Sequence, residues 1–344
     1  MKNTALTASS LGSSSRRHLF LKPALGLALS LATAGVMAQT PASMKLATVV
    51  WIGYGPFYVA DALDLYKKYN LKVSLQVFND PALIPSAIAS GAVDGGMLTY
   101  DQVVGQVAAG RNMKVVMPID YSNGGDAIVA DASIKSVKDF KGKKVGYNPL
   151  SPSDFLLSYA LKINGMGEKD ISPVSMTPEA VPAAMASGQL PIGVTYEPSL
   201  SQILGQGGGN KFKVVFSSKD APGLIADVLV FDDKVIKAKP AQITGIMRAY
   251  LDGMAYMKDK PDDAAKIIGK FMGVSAAEVK EQLSGVYNIP LAEMPKAFVK
   301  AKETTSYYAS GDIIGELLKA KGQISKIPAT EATFDASLVQ ALVK

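Results

Sequence analysis

The sequence predicts an α/β protein in two similar lobes, and three patterns carry the prediction. Strand-like and helix-like segments alternate along residues 44–231, as in sheets whose faces are covered by helices. One stretch also occurs twice: IPSAIASGAVDGGMLTYD, Ile84 to Asp101, returns as VPAAMASGQLPIGVTYE, Val181 to Glu197. Each copy reads as a short helix, a glycine stop, a buried strand and a polar triplet, Thr99-Tyr100-Asp101 in the first and Thr195-Tyr196-Glu197 in the second. The match is approximate, because the run from Gly91 to Asp101 is one residue longer than that from Gly188 to Glu197. Beyond residue 231 the pattern is helical alone, which leaves helices to pack back across the first lobe.

The elements follow in order. Met44–Val50 alternates and ends β-branched, a buried strand stopped by the glycines and proline of Trp51–Pro56. Pro56 suits the first turn of a helix from Phe57 to about Lys68, with Val59, Leu63 and Tyr66 on one face. Strand Lys72–Phe78, helix Pro81–Ser90, strand Val93–Leu98, helix Asp101–Ala109 and strand Lys114–Ile119 make up the first part of lobe one, residues 39–123. The polar, glycine-bearing Asp120–Asp126 reads as a crossing between lobes. Lobe two, residues 124–231, takes strands Ala127–Ala130 and Lys144–Tyr147 around a basic turn. Asn148–Asp154 then leads into a helix to Asn164, where Ser151 or Ser153 suits the N-cap. Strand Val174–Thr177, the second copy, a helix from Pro198, and strands Lys213–Phe216 and Ala226–Phe231 complete it. The glycine run Gly205–Gly209 lacks the Lys-Ser/Thr of a phosphate loop and follows a helix, so it reads as a helix end. Helices are predicted over 241–258, 261–271, 275–283, 291–310, 312–319 and near Leu338. Residues 232–344 thus complete lobe one, and crossings near 120–126 and 231 form a two-strand hinge.

Residues 1–38 are expected to be a cleaved export signal. The paired Arg16 and Arg17 precede a weakly apolar Ala/Gly/Leu stretch that ends with small residues at Val36 and Ala38, as a twin-arginine signal does. Lys22 and Pro23 leave a general secretory signal as the alternative. No later run of 18 apolar residues could span a bilayer, and no cysteine is present for a lipid anchor, so a free periplasmic protein is expected.

Removing that segment changes the chemistry on offer. Four of the 36 basic residues (Lys2, Arg16, Arg17, Lys22) and none of the 30 acidic ones lie in it, which leaves 32 against 30. A near-neutral chain without a clustered basic face is no nucleic-acid binder. The only histidine, His18, leaves as well, and there is no cysteine anywhere. A Ser-His-Asp triad, a thiolate nucleophile and the usual zinc site are therefore excluded. Carboxylate or lysine catalysis stays open, but the weight moves to binding, and no metal or other cofactor is expected.

The order and spacing of several pieces carry a resemblance: Trp-Ile-Gly-Tyr-Gly-Pro (51–56), Ala-Ile-Ala-Ser-Gly-Ala-Val-Asp (87–94), Asp-Phe-Lys-Gly-Lys-Lys-Val-Gly (139–146), Ala-Met-Ala-Ser-Gly-Gln-Leu (184–190) and Thr-Tyr-Glu-Pro (195–198). Essentially the whole mature chain resembles the periplasmic solute-binding proteins of nitrate, sulfonate and taurine ABC importers, the SsuA/THI5-like, NMT1-like group, whose relatives bind pyrimidine precursors of thiamin. Pro191 departs from the usual aspartate at a surface turn. The resemblance implies a type II periplasmic binding fold, each lobe a parallel-dominated sheet flanked by helices. It further implies a monomer that closes on a small organic solute by hinge bending and docks on an inner-membrane ABC permease. Other readings are an enzyme of the thiamin-pyrimidine type, in which a histidine absent here is consumed, a carboxylate-based hydrolase, and a periplasmic ligand sensor.

In such sheets ligands lie beyond the carboxyl ends of the strands. Trp51 and Tyr54 follow the first strand; Thr99, Tyr100 and Asp101 end the third. Tyr121, Ser122 and Asn123 belong to the first crossing; Asn148, Ser151 and Ser153 open the lobe-two helix; Tyr196 and Glu197 close the second copy. Asp101, the serines and Glu197 read equally well as helix caps, and Trp51 as a core residue. The only mature arginines, Arg111 and Arg248, lie outside these loops, so no guanidinium fork awaits a sulfonate or carboxylate. Asp101, Glu197 and Asp126 among tyrosines instead suit a protonated amine or amino-heterocycle. An aminosulfonate or aminopyrimidine is therefore expected over nitrate.

Overall fold

The computed structural model describes residues 40–343, and the expected export signal lies outside them. Lobe one opens with strand β1 (Ala42–Thr48), helix α1 (Gly55–Ala62), β2 (Leu71–Val77), α2 (Ile84–Ser90), β3 (Gly95–Thr99), α3 (Tyr100–Ala108) and β4 (Met113–Ser122). Lobe two holds β5 (Asp126–Asp131), β6 (Lys144–Tyr147), α4 (Pro152–Ile163), β7 (Ser172–Ser175), α5 (Val181–Ala186), β8 (Ile192–Tyr196), α6 (Ser199–Leu204) and β9 (Phe212–Ser217). The chain returns through β10 (Ala226–Asp232), α7 (Asp233–Ala238), α8 (Pro240–Asp259), α9 (Pro261–Met272), α10 (Ala276–Gln282), β11 (Val286–Asn288), α11 (Tyr307–Ala320) and α12 (Ser337–Val343).

Two sheets result, in the orders β11-β4-β10-β3-β1-β2 and β7-β6-β8-β5-β9. β1 pairs in parallel with β2 and β3, and β6 with β7 and β8. The strands next to the crossings, β4, β10, β5 and β9, join antiparallel, as does the edge strand β11. Each sheet is therefore mixed rather than parallel-dominated, because a chain passing between lobes and back must run in both directions. The two crossings are Asn123–Gly125, between β4 and β5, and Ser218–Ile225, between β9 and β10. Ser122 and Ser218 bond through their hydroxyls at 2.8 Å, and the Gly285 carbonyl accepts from Asn123 N–H (2.8 Å) and Gly125 N–H (3.0 Å).

Four expectations need correction. Lobe two was expected to reach 231, but Ala226–Asp232 pairs with β3 and β4, so the second crossing precedes that strand. Its apolar pattern fits the centre of either sheet, and only pairing decides. The helix expected over 291–310 is a short 3₁₀ turn, Met294–Phe298, followed by irregular chain up to Ser306; Pro290 and Pro295 break it. The first helix stops at Ala62, and Asp64, in the left-handed region at φ 55°, starts a separate 3₁₀ turn, Leu65–Tyr69. β11, inside the stretch read as all helix, has too little pattern in its three residues to be seen.

A cluster of polar contacts between the end of α11 and α4 also fastens the lobes. Lys321, just past the end of α11, pairs with Asp154 of α4, donates to Ser158 Oγ at 2.7 Å, and stands 3.6 Å from Glu168. Gln323 Nε2 donates to the other Asp154 oxygen at 2.9 Å. The pair is nearly sealed, with side chains 15% and 6% exposed. Removing one partner of a buried pair leaves the other charge stranded. Lys321→Met is thus expected to lower unfolding free energy by about 3 kcal/mol and to raise the ligand-free radius of gyration in small-angle scattering. Lys67→Met, at an exposed pair, should change neither.

Candidate functional site

The sheet register assembles the site. Asp227 on β10 lies opposite Thr99 on one side and Asp120 on the other, which puts a hydroxyl and two acids in one row across β3, β10 and β4. From lobe two, Asp126 at the start of β5 lies opposite Tyr196 at the end of β8. Trp51 and Tyr54, in the turn after β1, bring their rings to these acids. The Trp51 indole N–H donates to Asp120 (3.3 and 3.4 Å to its two oxygens), and the Tyr54 hydroxyl donates to Asp227 in a short hydrogen bond. The turn must be tight: a Cβ on Gly53 would stand 2.3 Å from an Asp120 oxygen and 2.4 Å from the Trp51 indole nitrogen. Across the lobes Trp51 meets Tyr196 edge-on, with ring centroids 5.9 Å apart.

Between these groups lies a small cavity of about 20 Å³, lined by Trp51, Tyr54, Thr99, Asp126, Tyr196 and Asp227 among others. Its electrostatics are one-sided. Asp101, Asp120, Asp126 and Asp227 are all buried, and among the described residues none of them forms an ion pair. Burial away from water is the main cause that pushes their carboxyls up, Asp126 to about 7 and Asp101 to about 6. Burial raises Asp120 and Asp227 too, and the charge of Asp120 raises Asp227 further, as expected for two acids facing each other across a sheet. Burial likewise raises the Tyr196 phenol, whose hydroxyl is enclosed and has no hydrogen-bond partner among the described residues. Among the described residues no three acidic side chains converge as metal ligands would. The acids can accept hydrogen bonds and, once ionised, positive charge, and the Tyr196 hydroxyl on the same wall can donate.

The sequence-picked residues divide. Trp51, Tyr54, Thr99 and Tyr196 line the cavity. Asp101 faces an adjoining chamber together with Ser151. Tyr100 turns the other way: its hydroxyl pairs with Thr333 at 2.9 Å and its ring stacks on Tyr307, 4.3 Å between centroids. Tyr121 donates to the Thr305 carbonyl at 2.8 Å, and Ser122 belongs to the hinge. The Glu197 carboxylate accepts from the Ser201 N–H (3.1 Å) and hydroxyl (2.9 Å), the work of a helix cap, and burial raises its carboxyl. Ser151 caps α4, accepting from Ser153 N–H at 3.2 Å. Asn148 Oδ1 and Ser153 Oγ at that helix start are enclosed without partners among the described residues. Asp120, Asp227 and Gln102 join the site although they lie outside the set of residues that the sequence marks. The visible signal was a lone acid in each of two apolar strands, Met-Lys-Val-Val-Met-Pro-Ile-Asp and Ala-Asp-Val-Leu-Val-Phe. A buried acid in a β-branched run is costly enough to need a reason.

Comparison with known proteins agrees with the fold. A candidate binding protein of Brucella abortus is 21% identical over 282 residues, covering 82% of this chain and 86% of the relative. A candidate aliphatic sulfonates-binding protein of Escherichia coli is 25% identical over 272 residues, 76% of this chain and 82% of that one. The crystal structure of the periplasmic aliphatic sulphonate binding protein SsuA from Escherichia coli superposes with a TM-score of 0.69 at 21% identity, covering 87% of this chain and 99% of that chain. The family profile described as NMT1/THI5 like matches residues 51–264, and the chain belongs to that family.

Proposed function

We propose that the chain is the solute-binding component of an ABC importer, exported to the periplasm and working as a monomer. It captures a small organic solute through a positively charged or hydrogen-donating nitrogen, closes its lobes on it and presents it to a membrane permease. The observation that carries this reading is the buried group Asp120, Asp126 and Asp227, with no lysine or arginine paired to it among the described residues, beside the rings of Trp51, Tyr54 and Tyr196. A cation entering there gains carboxylate and π-face contacts at once, and it gains them from both lobes, which is the condition for a ligand to favour closure. An amino-heterocycle fits the acids better than a bare sulfonate; an aminosulfonate would enter amine first. Calorimetric titration with an aminopyrimidine, taurine, an alkanesulfonate and nitrate tests this. Binding is expected for the two amine-bearing compounds, the aminopyrimidine and taurine, and tight binding of nitrate with none of the others would refute it.

A further inference from the structure

The cavity under Trp51 is too small for a whole solute. One water needs about 10–15 Å³ of such space, so about 20 Å³ receives a group of ammonium size and no ring. A second chamber of about 220 Å³ adjoins it, between α3, the start of α4 and the end of α11. The Gln102 side chain lines both spaces and stands between them. It is held from both lobes: its Nε2 donates to the Pro81 carbonyl and to the Leu150 carbonyl, each at 3.2 Å, while its Oε1 accepts from the Thr99 hydroxyl at 3.3 Å.

The outer chamber has a different chemistry. Leu150 and Phe155 of lobe two face Leu317, Leu318 and Ile324 of lobe one, and the one cation on its wall, Lys321, is already paired with Asp154. Leu150 is 60% exposed and sits in the left-handed region at φ 58°. An exposed leucine held in that conformation is unfavourable on both counts unless its side chain gains something at the chamber mouth. In volume the chamber exceeds the roughly 150 Å³ that accepts a benzene ring.

We propose that the solute is a two-part molecule, an amine head carrying an alkyl or aryl substituent. The head sits with Asp126 and Asp227 in the inner cavity, and the substituent fills the outer chamber past Gln102. This rests on the reading that the inner acids receive a cationic nitrogen, and it adds a second subsite that sets specificity by length and apolarity. Short compounds then leave the outer chamber, by far the larger of the two spaces, unfilled.

Calorimetric titration with ethylamine, hexylamine and 2-phenylethylamine separates the two claims. Each methylene buried tightens binding about fourfold, so hexylamine and 2-phenylethylamine are expected to bind at least about 30-fold more tightly than ethylamine. Gly105→Leu grows a side chain into the outer chamber, where a Cβ meets only Leu318, at 3.9 Å. It should abolish that gain and leave ethylamine within about twofold. If Gly105→Leu does not fold, Ala109→Leu on the same wall serves the same purpose. Equal affinity for the short and long amines, or an undiminished gain in the filled variant, overturns the two-part ligand while leaving amine capture standing. Failure of all three amines to bind overturns both.

Discussion

Asp227→Asn is expected to cost the protein its affinity for amines while leaving the fold as stable as before or more so. Asp227 lies opposite Asp120 in the sheet, buried, and both carboxyls are raised by that burial. Asparagine keeps an oxygen to accept from Tyr54 and brings an N–H that can donate to Asp120, so it replaces a shared proton with a permanent donor. A charged hydrogen bond is worth roughly 1.5–3 kcal/mol, about 10- to 150-fold in affinity. Denaturant unfolding at pH 8 should show no loss of stability, and titration should show a loss of at least about tenfold. Unchanged amine affinity would remove Asp227 from the binding site. A residue whose replacement weakens binding without weakening the fold is one kept for its ligand.

The second large effect is that stability and affinity should move in opposite directions with pH. Asp101 and Asp126 are raised from the usual carboxyl range to about 6 and about 7. Between the unfolded and folded values the native protein holds protons that the unfolded chain has released. Stability from these groups is therefore complete below about pH 4 and is lost as pH rises through 6 and 7. Melting temperature should fall by about 5 °C from pH 5 to pH 8. Affinity for ethylamine, which stays cationic throughout this interval, should rise from pH 5 to pH 8, because the acids that receive it become charged. Double replacement with asparagine at 101 and 126 should make the stability profile shallower, with the remaining slope due to Asp120 and Asp227, which burial also raises. Melting temperatures that rise from pH 5 to pH 8 would contradict the assignment.

Much of the architecture could be read from the residues, for identifiable reasons. The duplicated helix–strand unit announces two lobes because its apolar run and glycine stop are local features. What escaped was pairing. Ala226–Asp232 carries no mark of which sheet it joins, and its misplacement hid the fact that Asp227 faces Asp120. The polar triplets show the same limit. A strand's last residues alternate between faces, so Thr99 looks into the cavity while Tyr100, one position on, is committed to α11. Glu197 was legible as an acid at a helix start, and that is the contact it makes. The acidity of the cleft was visible in the sequence; the particular acids were settled by register.

Trp51 has a consequence for how this protein can be studied. It is the only tryptophan in the chain, bonded through its indole to an acid of lobe one and set edge-on against an aromatic ring of lobe two. Its emission therefore reports the state of the cleft alone, with no background from elsewhere. Domain closure, protonation of Asp120 and occupancy of the cavity should each change its wavelength or quenching. The molecule carries its own optical gauge at the point where its two halves meet.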